Sequence, residues 1–151
     1  MSVQATNPEA TGLEQLQAWL SGGKGAPIGE TMNFQLAELD KGHVVFESAP
    51  GPEVYNPIGS VHGGFAATLL DSACGCAVHS MLRADQAYTT LELKVSYHRG
   101  MTTETGKVRA IGSVLTIGRR TAFAQARLVD ANDKLLATAT STLLVMDRPK
   151  P

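Results

Sequence analysis

The sequence predicts an α+β fold in which an antiparallel β-sheet wraps around one long central helix. The helix is indicated by residues 62–83, where apolar and small side chains cover nearly the whole circumference at helical spacing. Strands are indicated before and after it, most clearly at residues 91–98, where apolar and polar side chains alternate. Because these strands share a single long helix, we expect the sheet to curl around it.

A short helix is predicted near the N-terminus, over about residues 11–21. The run from Thr11 to Glu14 has the Ser/Thr-x-x-Glu form of a capping box. Apolar residues follow at helical spacing, and Ser21-Gly22-Gly23 is typical of a helix end. Residues 24–27 are expected to continue as a loop.

Six strands complete the expected fold. Two are predicted at about residues 33–39 and 43–48, with a hairpin turn at residues 40–42. A loop rich in Pro and Gly and then the long helix follow. The remaining strands are expected from Tyr88 to residue 98 and at residues 108–117, 121–129 and 135–146. This order describes the hotdog fold, and we expect one domain over residues 1–151 with its core at about residues 28–146.

Length and composition exclude several classes of function. The 151 residues are too few for two sizeable cores, while 43% hydrophobic residues are enough to bury one. A net charge of -1 gives no general reason to expect nucleic-acid binding. No apolar run reaches the roughly 18 to 20 residues of a membrane helix, and residues 1–10 have no signal-peptide pattern. We expect a cytoplasmic enzyme or binding protein that contacts neither nucleic acid nor a membrane.

The two cysteines do not predict a metal site. Cys74 and Cys76 are two residues apart on the long helix, so their side chains point about 200° apart and cannot share a metal ion. His79 is the nearest further candidate ligand, and a zinc site would need more ligands at suitable spacing. We expect buried free thiols, no metal and no cofactor.

The residues that can carry chemistry lie at the start and in the middle of the long helix. Gly63 and Gly64 begin it, where backbone N–H groups without side chains form a site for an oxyanion or a polarised carbonyl. Asp71 is the only ionisable residue in the middle of the helix, and a carboxylate there is costly unless it is used or paired. The structural alternatives are close helix packing at the glycines and a buried acid bonded to a neighbouring helix terminus.

The spacing of these groups predicts an oligomer. Asp71 follows Gly63 by eight residues, which is about 12 Å along a helix axis. One reacting carbon cannot contact both groups at about 3 Å. The two can meet only if another chain supplies one of them, as when two such helices pack antiparallel across a twofold axis, which predicts at least a homodimer with two symmetry-related sites.

The run His62-Gly-Gly-Phe-Ala-Ala-Thr-Leu-Leu-Asp71, preceded by Asn56 and Gly59, resembles the signature of the PaaI-like hotdog-fold acyl-CoA thioesterases. The arrangement of strands extends the resemblance over about residues 28–146. Members of this family hydrolyse acyl-CoA or aryl-CoA thioesters. The resemblance implies that the Gly63 N–H polarises the thioester carbonyl and that Asp71 of the facing subunit acts as general base or nucleophile.

Further roles are implied by the same resemblance. His62 and Asn56 would orient the loop, the thioester or the water, although a helix cap and an ordinary turn are the structural alternatives. Thr90 matches the position whose hydroxyl helps to place the attacking water. That match requires a one-residue difference in loop length, so Thr89 is the alternative.

Basic residues are expected to hold the phosphates of CoA. Arg119 and Arg120, at the predicted Gly118 turn, are the best candidates, and the family often has a basic residue there. Solvated surface charge is the alternative for each. Further candidates are Arg99, Lys94, Lys107 and Arg148. The residues expected to contact the rest of the substrate are Gly64, Phe65, Leu69 and Met81.

These observations favour a cytoplasmic, homo-oligomeric acyl-CoA thioesterase, at least a dimer and a tetramer as in many relatives. A non-catalytic acyl-CoA-binding module and a CoA-dependent dehydratase are the alternatives. The carboxylate of Asp71 disfavours the module. Asn56-Pro57 with His62 only partly matches the dehydratase pattern, which disfavours that reaction. The acyl group and the role of the N-terminal helix stay open.

Overall fold

The computed structural model describes residues 7–22 and 24–149. The helices are α1 (Gly12–Leu20), α2 (Pro27–Met32) and α3 (Gly63–His79). The strands are β1 (Phe34–Asp40), β2 (His43–Ser48), β3 (Gln86–Tyr97), β4 (Val108–Ile117), β5 (Thr121–Asp130) and β6 (Leu135–Asp147). Single 3-10 turns occur at Pro52–Val54 and Thr103–Thr105. None of these helices is both long and apolar enough to cross a membrane.

The six strands form one antiparallel sheet around α3, which confirms the predicted hotdog fold. Their order is β1-β2-β4-β5-β6-β3, so β1 and β3 are the edges. Small residues allow the helix to lie directly on the sheet. A Cβ at Gly112 of β4 would overlap the carbonyl group of Ala73 on α3, so only glycine permits this approach. This packing buries one side of α3 against the sheet. The polar residues of the helix lie on the side that the sheet leaves uncovered.

Helix α2 is absent from the sequence prediction, which assigned residues 24–27 to a loop. Pro27 occupies the first turn of α2, where its missing N–H costs nothing because that group has no partner within the helix. Asn33 ends the helix in the left-handed conformation, at φ 54°. Pro27 and Asn33 are therefore the start and stop signals of a single short helix.

Helix α3 is shorter than predicted and is not buried on all sides. It ends at His79, because the Ser80 hydroxyl donates to the Ala77 carbonyl oxygen (2.6 Å) and also accepts a hydrogen bond from the Gly42 N–H (2.7 Å). Residues 80–81 form a turn, and residues 82–83 have no regular secondary structure. A strip of partly exposed residues runs along the helix and comprises Ala67, Thr68, Asp71 and Ser72.

Helix α1 packs across the C-terminal end of α3. The Gly12 N–H donates to the Leu82 carbonyl oxygen at 3.0 Å. The imidazole of His79 donates through Nε2 to Gln15 Oε1, also at 3.0 Å, and the Trp19 ring packs edge-on against it. The N-terminal helix therefore braces the end of α3, which answers part of the question about its role.

His79 makes the stability of the fold dependent on pH. Burial, followed by the positive charge of Arg148, lowers the pKa of His79 from 6.5 to about 4. Between these values the unfolded chain binds more protons than the folded one. We therefore expect the free energy of unfolding to decrease, by up to roughly 3 kcal/mol, as pH falls from about 6.5 toward 4.

Urea unfolding between about pH 7 and pH 4.5 measures this effect. His79→Gln is expected to flatten the dependence on pH relative to the unmodified protein. His98→Gln, which makes the same substitution at an exposed histidine outside the contact between α1 and α3, is the matched control. An unaltered slope in His79→Gln would contradict the interpretation.

Candidate active site

The side chains of Asp71 and Thr90 meet between α3 and β3. The Thr90 hydroxyl donates a hydrogen bond of 2.9 Å to Asp71 Oδ1. No residue in the described ranges donates to Asp71 Oδ2, so this oxygen is free to accept a proton or to attack. Thr89 is exposed on the opposite face of the strand, because strand side chains alternate. The structure thus places Thr90, and not Thr89, beside the carboxylate.

Strand β3 is irregular at this point. Its register with β6 shifts between Thr90 and Glu92, which leaves Leu91 as an extra, largely exposed residue. Bulges of this kind bend an edge strand and redirect its side chains. The bulge lies directly next to the Asp71–Thr90 pair and is not apparent from the alternation of apolar and polar residues.

The Asp71–Thr90 pair lines a groove of about 650 Å³. Its walls come from α1, α2, the linker between them, the first two strands, α3 and β3. Its aromatic residues are Trp19, Phe34, Phe46 and Tyr88. Two exposed charged residues, Lys24 and Glu30, also border it. The groove therefore has both aromatic and polar walls, and the carboxylate of Asp71 is one of its polar groups.

The expected pocket residues Phe65 and Leu69 do not line this groove. Both are buried in the core, with 1% and 0% of their surfaces exposed. Met81 lies beyond the end of α3 beside Gly42, so it does not line the groove either. Sequence reasoning missed the groove because α2, which forms part of its wall, was not predicted.

At the start of α3, the N–H groups of the two glycines differ. The Gly64 N–H donates to His62 Nδ1 at 2.8 Å, so it is not bare, contrary to the expectation for a substrate contact. The imidazole caps the helix, and Nδ1 must be unprotonated to accept this bond. Only the Gly63 N–H of the pair has no acceptor among the described residues, as the first position of a helix implies.

Asn56 organises the loop that leads to α3. Its side-chain oxygen accepts from the N–H groups of Ile58 and Ser60, each at 3.1 Å, and its amide nitrogen donates to the Ser60 hydroxyl at 3.0 Å. Gly59 within this loop has φ 87°, a conformation that favours glycine. Of the roles considered for Asn56, these contacts support orientation of the loop.

Tyr97 is a neighbour of Gly63 that sequence reasoning did not single out. Its hydroxyl donates to the Gly63 carbonyl oxygen at 2.6 Å. A Cβ at Gly63 would lie 3.0 Å from that hydroxyl oxygen, so the tyrosine approaches the bare backbone closely. Both residues border a separate depression of about 260 Å³, together with His62 and Arg99.

Gly63 and Asp71 therefore belong to two different surface features of one chain. They lie on one helix, about 12 Å apart along its axis, and line separate depressions. The bare amide and the carboxylate of one chain are therefore too far apart to contact the same reacting atom.

Arg119 and Arg120 lie at the exposed turn between β4 and β5. Together with Arg83 they border a depression of about 500 Å³. Arg83 is paired with Asp85 (3.0 Å) and Asp147 (3.7 Å), whereas Arg119 and Arg120 form no ion pair with any described residue. This leaves their guanidinium groups available to an anion.

The other basic candidates are placed differently. Lys107 is paired with Glu47 at 3.2 Å, and the Arg148 guanidinium donates to the Gln86 carbonyl oxygen. Lys94 lies on the outer face of the sheet, whereas Arg99 borders the Gly63 depression. Of these four residues, only Arg99 lies beside one of the candidate site residues, Gly63.

The thiols near the groove are neutral. Burial raises the pKa of Cys74 and of Cys76 to about 12, and the negative charge of Asp71 adds to the rise. A thiol with such a pKa is a poor nucleophile at neutral pH. Within the described part of the chain, no three His, Cys, Asp or Glu side chains are arranged to hold a metal ion.

The chain is similar to known thioesterases. A family model described as the thioesterase superfamily matches residues 58–137. A 1,4-dihydroxy-2-naphthoyl-CoA hydrolase of Listeria monocytogenes is 24% identical over 121 residues, covering 80% of this chain and 97% of that protein.

Solved structures show the same relationship. A phenylacetic acid degradation-related protein of Ralstonia eutropha has a TM-score of 0.76 and 25% identity, covering 85% of this chain and 97% of that one. The E. coli PaaI protein shares the fold, with a TM-score of 0.73 and 19% identity over 84% of this chain and 87% of its own. By its sequence match and its fold, the chain belongs to the thioesterase superfamily.

Proposed function

We propose that this protein hydrolyses acyl-CoA or aryl-CoA thioesters to the free acid and CoA, at sites that two subunits share. The observation that carries the proposal is the division of one helix into a bare amide at Gly63 and an Asp71–Thr90 pair two turns later. Thioester hydrolysis needs these two functions, an electrophilic donor and a base or nucleophile. The names of the similar proteins, a CoA-ester hydrolase and a phenylacetic acid degradation-related protein, support this class of substrate.

The reaction follows from the two groups once a second copy of the chain supplies one of them. The Gly63 N–H donates to the thioester oxygen, which becomes negatively charged as a new bond to carbon forms. Asp71 of the facing subunit either takes a proton from the attacking water or attacks the carbon itself to form an anhydride, which water then cleaves. The C–S bond breaks, and the thiolate of CoA takes up a proton. Thr90 holds the carboxylate through Oδ1.

The proposed reaction needs no group besides the amide, the carboxylate and water, and CoA is part of the substrate. The dimer brings the two halves together, and a tetramer made of two such dimers is consistent with the same sites. Cytoplasmic location accords with the two free, buried cysteines.

A panel of CoA esters tests this function directly. Purified protein is incubated with phenylacetyl-, hydroxybenzoyl- and fatty acyl-CoAs, and the released thiol is measured with a thiol reagent. Release of CoA with turnover supports a thioesterase. Binding without release would support a non-catalytic module, and hydration of an enoyl-CoA would support a dehydratase.

The arginines beside the β4–β5 turn give a second prediction. We propose that Arg119 and Arg120 bind phosphates of CoA, since both are exposed and unpaired among the described residues. Replacing both by Glu is expected to raise KM for acyl-CoA about tenfold or more, with kcat little changed, because charge-assisted hydrogen bonds are lost.

Two controls make this prediction specific. An acyl-N-acetylcysteamine thioester lacks the CoA phosphates, so its KM should be the same for the double variant and the unmodified protein. Arg127→Glu places a charge reversal on the outer face of the sheet, away from this turn, and should leave both values unchanged. An equal loss with both substrates would argue against phosphate binding.

A further inference from the structure

The groove beside Asp71 ends a short distance along α3. Asp71 lines it, Gly75 lines it one turn later, and His79, a further turn along, does not. One turn of helix rises about 5.4 Å. The groove therefore continues past the carboxylate by little more than one turn in this direction.

Tyr88 closes this end of the groove. Its ring lies against the bare backbone of α3, where a Cβ at Gly75 would be 3.1 Å from Tyr88 Cε2. Behind it, the His79 ring centroid is 5.3 Å from that of Tyr88, and Trp19 packs against His79 at 6.2 Å. The packed rings of Tyr88 and His79 thus form a barrier at this end of the groove, and Trp19, which lines the groove, packs against His79.

The hydroxyl end of Tyr88 is uncharged. Burial, the largest cause, together with the nearby Cys76 and Asp71, raises the pKa of the Tyr88 phenol above its ordinary value. Tyr88 therefore presents a neutral aromatic ring to this end of the groove.

The position of Tyr88 in β3 relates this barrier to the reacting groups. Tyr88 precedes Thr90 by two residues, so both side chains face the same side of the strand, about 7 Å apart along it. An acyl group whose carbonyl carbon lies beside Asp71 and which extends toward Gly75 meets the Tyr88 ring within that distance. The surrounding walls carry Trp19 and other aromatic rings that pack well against a flat apolar group.

We propose that Tyr88 is a specificity-determining residue, which ends the acyl-binding groove and restricts the substrates to short or single-ring aryl acyl groups. The inference rests on the proposed thioesterase function. It adds the size class of the acyl group and assigns one side chain that sets it.

The test is the dependence of kcat/KM on acyl chain length. For the unmodified protein we expect kcat/KM to fall for linear acyl-CoAs longer than the groove accommodates, while phenylacetyl-CoA is accepted. Tyr88→Ala is expected to raise the ratio of kcat/KM for long to short chains by on the order of tenfold or more, as added methylenes gain space. Tyr88→Phe, the matched control, keeps the ring and should keep the profile.

A reciprocal variant protects the test against misfolding of Tyr88→Ala. Gly75→Ala adds a methyl group between Asp71 and the Tyr88 ring, and should shift the profile toward shorter chains. Unchanged profiles in soluble Tyr88→Ala and Gly75→Ala would overturn the assignment of Tyr88 and leave the proposed function intact. Absence of hydrolysis of every CoA ester by the unmodified protein would instead overturn the proposed function.

Discussion

Asp71→Asn is expected to lower kcat by about 10²- to 10⁴-fold, the range typical for loss of a catalytic base, while acyl-CoA binding is retained. Asparagine has nearly the same shape, and its side-chain oxygen still accepts the Thr90 hydrogen bond, so the groove keeps its form. What disappears is the negative charge, and with it both the base and the nucleophile. Steady-state kinetics and calorimetric titration with a CoA ester measure the two effects separately.

Two variants show whether the loss is specific to Asp71. Glu30→Gln makes the same carboxylate-to-amide change at the exposed border of the same groove and should retain activity within a few fold. Thr90→Val removes the hydroxyl that holds Oδ1, and we expect an intermediate loss because the carboxylate stays but is less well oriented. Near-normal turnover of Asp71→Asn would refute its role in the reaction.

The strands were predictable wherever apolar and polar side chains alternate, because this alternation indicates that one face of the strand is buried. Strands β4, β5 and β6 alternate along most of their length, and β4 runs from Val108 to Ile117 as predicted. The end of α3 was not predictable from hydrophobicity, because apolar residues continue to Leu82. The helix ends where the Ser80 hydroxyl donates a hydrogen bond to a backbone carbonyl oxygen of the last turn. The hydrophobic pattern does not report such a bond.

The candidate site was predictable only in part. Asp71 and Gly63 could be selected because a lone carboxylate and a bare helix start stand out in a sequence. Which of the two glycine N–H groups is bare could not be predicted. The His62 side chain accepts a hydrogen bond from the Gly64 N–H, and the Gly63 N–H is left without an acceptor among the described residues. Tyr88 could not be found either, because the wall it forms depends on packing between β3, α3 and α1.

Gly63→Pro is expected to lower kcat by about 10²- to 10³-fold, since it removes the one N–H that the structure leaves bare at the start of α3. Proline is well tolerated at the first position of a helix, where no internal hydrogen bond is lost. His62 has φ -61° and ψ 136°, the extended conformation that a residue before proline prefers. Kinetics with a preferred CoA ester, together with thermal unfolding, separate lost catalysis from lost stability.

Gly63→Ala is the matched control for the proline variant. It adds a side chain at the same position, against the Tyr97 hydroxyl, but keeps the N–H. Because the tyrosine is exposed and can shift, we expect a loss well below that of Gly63→Pro. Equal losses in the two variants would show that crowding at Tyr97, and not removal of the amide, impairs the enzyme.

Mixing the Gly63→Pro and Asp71→Asn proteins then tests whether two subunits build each site. In a heterodimer, one site combines both defects, whereas the other combines the intact Gly63 of one chain with the intact Asp71 of its partner. Random exchange of equal amounts of the two subunits makes about half of the dimers mixed, and each mixed dimer has one intact site out of two. About a quarter of all sites should therefore be intact, and the mixture should recover about a quarter of the activity of the unmodified protein. Two inactive proteins that stay inactive after demonstrated subunit exchange would show that the amide and the carboxylate do not act across the twofold axis.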